Sequence, residues 1–132
     1  PILMRLKSDL AEICLAALNG SLESISAEWD SRSAVGVVLA AGGYPASYGK
    51  GAVISGLDKA AQVADSKVFH AGTALDNGEV VTSGGRVLCA TALGNSVTEA
   101  QQQAYQQVKA ISWDKVYYRN DIAYRAIERE QG

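Results

Sequence analysis

Three consecutive residues in the second half of the chain, Gly84-Gly85-Arg86, have the types and order that suit binding of an anion. The planar guanidinium of an arginine can donate two parallel hydrogen bonds to a phosphate or a carboxylate. Adjacent glycines let backbone N–H groups approach the same anion. Residues 87–90 have the composition of a strand, whereas nucleotide-binding loops run from their glycines into a helix. The pattern therefore excludes a nucleotide P-loop and leaves two interpretations: a turn with an exposed arginine, or an anion site.

The preceding strand-like segment, residues 67–73, contains further polar positions that could border such a site. They are Lys67, His70, Gly72 and Thr73. His70 is the one histidine of the chain, and no residue near it in sequence forms a nucleophile–base pair with it. One histidine and two cysteines without CxxC spacing cannot assemble a standard zinc site. The sequence pattern therefore offers one candidate anion site, with the exposed turn as its alternative, and no catalytic centre.

Periodicity divides the first two thirds of the chain into segments that would position these residues. Apolar residues at helical spacing predict an amphipathic helix over residues 2–19, and a polar connector follows, with room for one helical turn. The Asp76-Asn77-Gly78 stretch is typical of a hairpin turn. Short apolar or β-branched runs predict strands at 34–41, 52–57, 67–73, 79–83 and 86–93, with a glycine-rich loop at 42–51 that could line a cleft.

Helical periodicity returns in the last third. Ser96 and Glu99 have the spacing of a capping box at the start of a helix over 96–111. A second, shorter helix is predicted within 119–131, with Asp121 as its N-cap. Strands joined by close turns, followed by helices, predict an α+β fold in which helices cover one face of an antiparallel sheet.

Composition excludes several classes of function. The 132 residues include 12 basic and 14 acidic side chains without a basic stripe, so nucleic acid is not an expected partner. The apolar runs are shorter than the roughly 20 residues of a membrane span, and no secretory signal opens the chain. A cytoplasmic protein with Cys14 and Cys89 as buried, reduced thiols is expected. A first residue that is proline rather than methionine is expected for a processed or truncated segment.

Five stretches, in order along nearly the whole chain, resemble the C-terminal region of the phosphoribosylamine–glycine ligases, a family of ATP-grasp enzymes. The stretches are 2-ILMRLKSDL-10, 36-GVVLAAGGYP-45, 67-KVFHAGT-73, 84-GGRVLCATALG-94 and 118-YRNDIAYRAI-127. The resemblance implies that residues 1–33 are the last helix of the ATP-grasp core and a connector. Residues 34–132 would then be the C-terminal sheet domain that packs against that core.

The resemblance also implies a reaction and its ligands. The family joins glycine to 5-phosphoribosylamine in purine biosynthesis, using ATP with Mg²⁺ (or Mn²⁺), through a glycyl phosphate. The ATP and metal ligands and the N-terminal domain would lie outside this chain, which is expected to bind no cofactor and to be inactive alone. Arg86, with Gly84 and Gly85, matches the position that holds the ribose phosphate in related purine-pathway enzymes. Lys67, His70 and Thr73 are further expected substrate-binding residues.

One departure and two alternatives accompany this interpretation. The family has Asp-Ile-Gly where this chain has 121-DIA-123, and alanine poorly replaces a glycine that needs positive φ. Either the backbone there does not need glycine or the local turn differs. The chain could instead be a non-catalytic binding or scaffold domain, or the C-terminal domain of another ATP-grasp ligase, such as a biotin-dependent carboxylase. The HAGT and GGRVL stretches argue against the carboxylase.

Overall fold

The computed structural model describes every residue from Pro1 to Gly132 and confirms the α+β prediction. None of its helices combines the length and apolar character that crossing a membrane requires. Single 3-10 turns lie at Ile2–Arg5 and Leu22–Ser24. The helices are α1 (Leu10–Leu18), α2 (Leu57–Ala60), α3 (Val97–Ala110) and α4 (Tyr124–Gln131), and the strands are β1 (Ser33–Ala40), β2 (Ser66–His70), β3 (Thr73–Asp76), β4 (Glu79–Thr82) and β5 (Arg86–Gly94).

A three-stranded antiparallel sheet of order β1-β5-β2 carries the core, and α3 packs on one of its faces. Val37 lies opposite Ala90, and Leu39 opposite Leu88, in the β1–β5 register. All four side chains are completely buried. They pack in one cluster with the fully buried alanines of α3, whose small side chains let the helix lie close to the sheet.

The start of α3 forms as the capping-box pattern predicts. Ser96 Oγ accepts a hydrogen bond of 3.1 Å from the Glu99 backbone N–H. The Glu99 carboxylate reaches one residue further back than in the usual motif, accepting 2.8 Å from the Asn95 N–H. Two backbone donors at the helix start are therefore satisfied by side chains.

The hairpin prediction at 76–78 is also confirmed, since β3 and β4 pair in register around this turn. Asn77 and Gly78 both have positive φ, 48° and 85°. That combination is the backbone of a type I′ turn, whose twist matches the flanking strands.

Three strand predictions needed correction. Residues 52–57 are not a strand: Val53 and Ser55 make isolated bridges, and the short helix α2 starts at Leu57. Segment 67–73 is divided at residues 71–72 into β2 and β3, which belong to different sheets. The strands form two antiparallel sheets rather than the expected one, because β4 pairs with β3 while β5 pairs with β1 and β2. The chain leaves one sheet after β2, forms a second sheet with β3 and β4, and returns to the first with β5. A local sequence pattern does not contain this information.

The leading helix is shorter and more exposed than its periodicity predicts. Helix α1 starts at Leu10, where the Asp9 carboxylate accepts 2.7 Å from the Ala11 N–H, and Ala16 is its one buried residue. Cys14 is an exposed free thiol and Cys89 a half-buried one, so the burial expected for Cys14 is wrong. The apolar stripe of α1 exists, but no element of this chain covers it.

The N-cap predicted for α4 is wrong, and the observed N-cap is residue 123, where the chain departs from the family pattern. Asp121 binds the Arg119 guanidinium at 2.7 and 2.8 Å and does not cap the helix. The N-cap is Ala123, in the left-handed region at φ 71°. The position therefore requires the backbone that glycine adopts easily and alanine adopts with strain.

Replacing Ala123 with glycine should raise the free energy of unfolding by about 0.5–1 kcal/mol. Relief of left-handed strain exceeds the extra entropy that glycine adds to the unfolded chain. Urea unfolding of the 132-residue chain measures the difference. Ala126→Gly, in the interior of the same helix, is the matched control and should lower the stability by a similar amount. Loss of stability in both variants would contradict the strain at residue 123.

An ion-pair cluster ties the connector to β2. Arg32 binds Asp30 at 2.8 Å and Asp65 at 3.0 Å. The hydrogen bonds from the Arg32 guanidinium, helped by the Arg32 backbone N–H, lower the pKa of Asp30 from 3.8 to about 2. The Asp30 carboxylate thus stabilises the folded chain above pH 3.8, and this contribution is lost as the pH falls through about 2.

We therefore expect Asp30→Asn to reduce the loss of stability between pH 5 and pH 2.5 relative to the unchanged chain. The variant lacks the carboxylate whose protonation opposes folding in acid. Chemical unfolding at the two pH values measures this loss. Glu23→Gln, which removes an exposed carboxylate outside any ion pair, is the control. Equal acid sensitivity in Asp30→Asn and the unchanged chain would refute the assignment.

Candidate functional site

The Gly84-Gly85-Arg86 element connects the two sheets, and Gly84 is where their backbones meet. The Ser83 and Gly84 N–H groups both donate to the Gly72 carbonyl, at 2.8 and 3.0 Å. A Cβ atom on Gly72 would lie 2.9 Å from Gly84 Cα and 2.6 Å from the Arg86 carbonyl oxygen. The absence of side chains at Gly72 and Gly84 therefore lets the two backbones approach closely. The Gly84 N–H already donates its hydrogen bond within the protein.

Gly85 packs against two tyrosines of the loop 42–51. A methyl group on Gly85 would overlap the Tyr44 ring and lie 3.0 Å from Tyr48 Cε1. The two rings meet edge to face, with centroids 6.0 Å apart. The Gly85 carbonyl accepts from the Ala41 N–H at 2.8 Å, while its own N–H donates no hydrogen bond within the chain. The absence of a side chain at Gly85 thus lets the loop close over the start of β5.

Arg86 lines a cavity of about 220 Å³, the Arg86 cavity, on the far side of these rings. Tyr44 forms one wall, and Tyr117 and Arg119 come from the segment after α3, held beside β1 by paired hydrogen bonds between Ala40 and Tyr117. The lining is mainly apolar apart from the two guanidinium groups. Its residues are Gly36, Val38, Ala40, Tyr44, Arg86, Tyr117, Tyr118, Arg119 and Ile122.

The two arginines of the Arg86 cavity differ in availability. Arg119 is neutralised by Asp121, and this bidentate contact lowers the pKa of the Asp121 carboxyl below its usual value. The exposed Arg86 side chain makes no ion pair and no side-chain hydrogen bond within the chain. Of the two arginines, Arg86 is therefore the one that is free to bind an external phosphate or carboxylate. Its planar guanidinium suits the donation of two parallel hydrogen bonds.

The structure does not bring all the predicted site residues together. Lys67 and His70 line a separate cavity of about 340 Å³ beside α2, which Arg86 does not border. His70 Nδ1 lies 3.0 Å from Thr73 Oγ1, across the break between β2 and β3. The Lys67 ammonium lies 5.5 Å from the centroid of the Phe69 ring. Gly84 and Gly85 are the predicted residues that adjoin Arg86.

Sequence reasoning missed Tyr44, Tyr117 and Arg119 as neighbours of Arg86. A signal was present for Tyr44, because it lies in the glycine-rich loop that could line a cleft. No local signal exists for Tyr117 and Arg119. Their position depends on pairing between residues 40 and 117, which are far apart in sequence.

The arrangement around Arg86 can bind and orient an anion, and it contains no base or nucleophile aimed at a reacting atom. No three His, Cys, Asp or Glu side chains converge to share a metal ion anywhere in the chain. Binding of a charged substrate group is therefore the chemistry that this surface offers.

Comparison with known proteins extends these observations. The family described as phosphoribosylglycinamide synthetase, C domain, matches residues 34–125. Curated proteins named phosphoribosylamine–glycine ligase are 60% identical in Vibrio parahaemolyticus and 61% identical in Pseudomonas aeruginosa, over 99% and 100% of this chain. A crystal structure of phosphoribosylamine–glycine ligase from Thermotoga maritima superposes with a TM-score of 0.65 and 31% identity, over 85% of this chain and 28% of that one. The chain spans 30% of the length of the curated relatives.

Proposed function

Because this chain belongs to the phosphoribosylglycinamide synthetase C-domain family, we propose that it is the C-terminal part of a phosphoribosylamine–glycine ligase. The observation that carries the proposal is 61% identity over the whole chain to a protein of that name. The reaction would join glycine to 5-phosphoribosylamine, with ATP converted to ADP and phosphate through a glycyl phosphate. The relatives favour this reaction over the carboxylase and scaffold alternatives.

In this proposal the chain supplies substrate-binding surface, and other parts of the enzyme supply the chemistry. The residues of this chain do not fit a site for ATP and Mg²⁺, because no three acidic side chains converge on one point and the glycine-rich loop 42–51 runs into an isolated bridge at Val53 rather than into a helix. ATP and the metal would therefore be held by the ATP-grasp core outside the chain. What the C-terminal part contributes is orientation of a charged substrate.

We assign the ribose phosphate of 5-phosphoribosylamine to Arg86. The support is its unpaired guanidinium and a cavity whose other walls, apart from the Arg119 side chain that Asp121 neutralises, are aromatic and apolar. A phosphate at Arg86 would leave the ribose against the rings of Tyr44 and Tyr117. Lys67, His70 and Thr73 stay predicted substrate-binding residues, on a neighbouring surface.

The leading segment, residues 1–33, would belong to the ATP-grasp core, with residues 34–132 as the sheet domain. The support is a set of large apolar side chains that are exposed in this chain. Its members are Ile2, Leu3, Leu10, Leu15, Leu18 and Leu22, with exposed fractions from 48% to 84%. A surface of this kind indicates burial against another domain or chain.

The test uses two proteins: the full-length enzyme that contains this chain, and the 132 residues alone. The full-length enzyme should release phosphate from ATP only when both glycine and 5-phosphoribosylamine are present. The 132-residue chain should release none under the same conditions. Turnover by the short chain, or turnover of the full enzyme that does not depend on glycine, would contradict the proposal.

A further inference from the structure

One wall of the Arg86 cavity is a stretch of chain without regular secondary structure. Residues 118–122, the wall segment, lie between the bridge that joins Tyr117 to Ala40 and the start of α4. Tyr118, Arg119 and Ile122 of this segment line the cavity. No backbone-to-backbone hydrogen bond joins the wall segment to the sheet or to α3. Its position therefore depends on contacts made by side chains.

Two side chains of α3 make the hydrogen bonds that hold the wall segment. Tyr105 Oη donates to the Arg119 carbonyl at 2.6 Å and accepts from the Ile122 N–H at 3.1 Å. Gln101, one helical turn earlier, donates through Nε2 to the Ile122 carbonyl at 2.7 Å. The Tyr105 hydroxyl thus uses its donor and an acceptor position at the same time, and it binds both ends of the turn between residues 119 and 122.

Helix α3 is a rigid support for this hydroxyl. Ala104 and Val108, which flank Tyr105 along the helix, are 0% and 1% exposed and belong to the core that includes the sheet. The opposite wall of the cavity is formed by residues of β1 and by Arg86 of β5, strands of that same sheet. The Tyr105 hydroxyl therefore fixes the separation between Arg86 and the wall segment.

The side chains that the wall segment presents to the cavity follow its backbone. The Arg119 guanidinium is fixed within the segment by Asp121, at 2.7 and 2.8 Å. The Tyr118 ring lies beside the Tyr105 ring, with centroids 6.5 Å apart. Release of the segment would therefore move Arg119 and Tyr118 relative to Arg86, and a bound molecule would lose contacts on one side of the cavity.

We propose that Tyr105 is a positioning residue for substrate binding, because its hydroxyl holds the wall segment at a fixed distance from Arg86. The inference rests on the proposed function, which assigns the ribose phosphate of 5-phosphoribosylamine to the Arg86 cavity. It adds that binding depends on a side chain that does not itself line the cavity. A binding site keeps its geometry only when residues behind its lining hold that lining in place.

Tyr105→Phe in the full-length enzyme tests the proposal, because phenylalanine keeps the ring beside Tyr118 and removes only the hydroxyl. The KM for 5-phosphoribosylamine should rise by about three- to tenfold, with little change in kcat or in the KM for ATP. Gln101→Ala removes one hydrogen bond and should raise the same KM by a smaller factor. Gln106→Ala, at an exposed glutamine of the same helix, is the matched control. A merely structural role would lower kcat, since less of the enzyme would be folded, and would leave the KM unchanged.

Hydrogen exchange of the full-length enzyme, measured by mass spectrometry on the peptide that contains Ile122, reports on the wall segment itself. The Ile122 N–H loses its acceptor in Tyr105→Phe, so its exchange should become about tenfold faster or more. Exchange in Gln106→Ala should match that of the unchanged enzyme. A raised KM together with faster exchange supports the proposal. An unchanged KM for 5-phosphoribosylamine, or a raised KM without faster exchange, would overturn it.

Arg86→Ala, measured in parallel, separates this inference from the proposed function. If Arg86→Ala raises the KM for 5-phosphoribosylamine and Tyr105→Phe does not, the assignment of the phosphate stands and the positioning role is overturned. If Tyr105→Phe raises the KM with faster exchange and Arg86→Ala leaves the KM unchanged, the positioning role stands and the assignment of the phosphate to Arg86 is wrong.

Discussion

Replacing Gly56 with alanine should lower the free energy of unfolding by about 3–5 kcal/mol, the largest stability effect that we expect for a single methyl group in this chain. Gly56 precedes α2 with φ 84°, where an L side chain is strained. An added Cβ would also overlap the carbonyl oxygen of Ala110 and lie 2.8 Å from its carbon. Backbone hydrogen bonds between Ser55 and Ser112 hold the two segments together, so neither can move aside without losing them.

Urea unfolding of the 132-residue chain measures the effect, and Gly78→Ala provides a matched control. Gly78 has nearly the same φ, 85°, but no atom lies within 4 Å of the place that its new methyl group would occupy. Its substitution should cost about 1–2 kcal/mol, the conformational part alone. The difference between the two variants measures the steric overlap with Ala110. Equal losses in the two variants would show that the Ala110 contact relaxes freely.

Replacing Arg86 with alanine in the full-length enzyme should raise the KM for 5-phosphoribosylamine by about 10- to 100-fold. Loss of charge-assisted hydrogen bonds to a phosphate costs about 1.5–3 kcal/mol. The phosphate does not react, so the lost interaction is equal in ground and transition states and kcat should change little. The KM for ATP should stay the same. Steady-state kinetics with each substrate varied in turn separate these quantities.

Two further variants control for charge and for folding. Arg86→Lys keeps the charge but loses the planar fork, so its KM should lie between those of the unchanged enzyme and Arg86→Ala. Arg125→Ala removes an exposed arginine that lies over the Tyr124 ring, outside the Arg86 cavity, and should leave the KM unchanged. Arg86 is exposed, so thermal stability should not fall. An unchanged KM in Arg86→Ala would mean that the arginine is only an exposed residue at the start of β5.

The features that were predictable from sequence share a physical origin in short-range interactions. The Ser96–Glu99 cap, the helical stripe of α3 and the Asn77-Gly78 turn each depend on groups a few residues apart, so pattern is sufficient to predict them. The family was identifiable for a related reason, because several short stretches match in order along the chain. Arg86 is a candidate anion-binding residue for the same reason, because the short Gly84-Gly85-Arg86 stretch singles it out. No knowledge of its neighbours in space is needed.

The features that only the tertiary structure decided depend on residues distant in sequence. Residues 52–57 make isolated bridges to two distant residues, Val81 and Ser112, rather than a strand. Gly84 and Gly85 allow close contacts with Gly72 and Tyr44. The neighbours Tyr117 and Arg119 reach Arg86 through pairing across the chain, and Trp113 meets the glycine-rich loop in the same way. Sequence alone therefore determined the family and the α+β class, and it proposed Arg86 as the candidate phosphate ligand. The tertiary structure decided what surrounds that arginine, because close packing between distant segments leaves no periodic trace in the sequence.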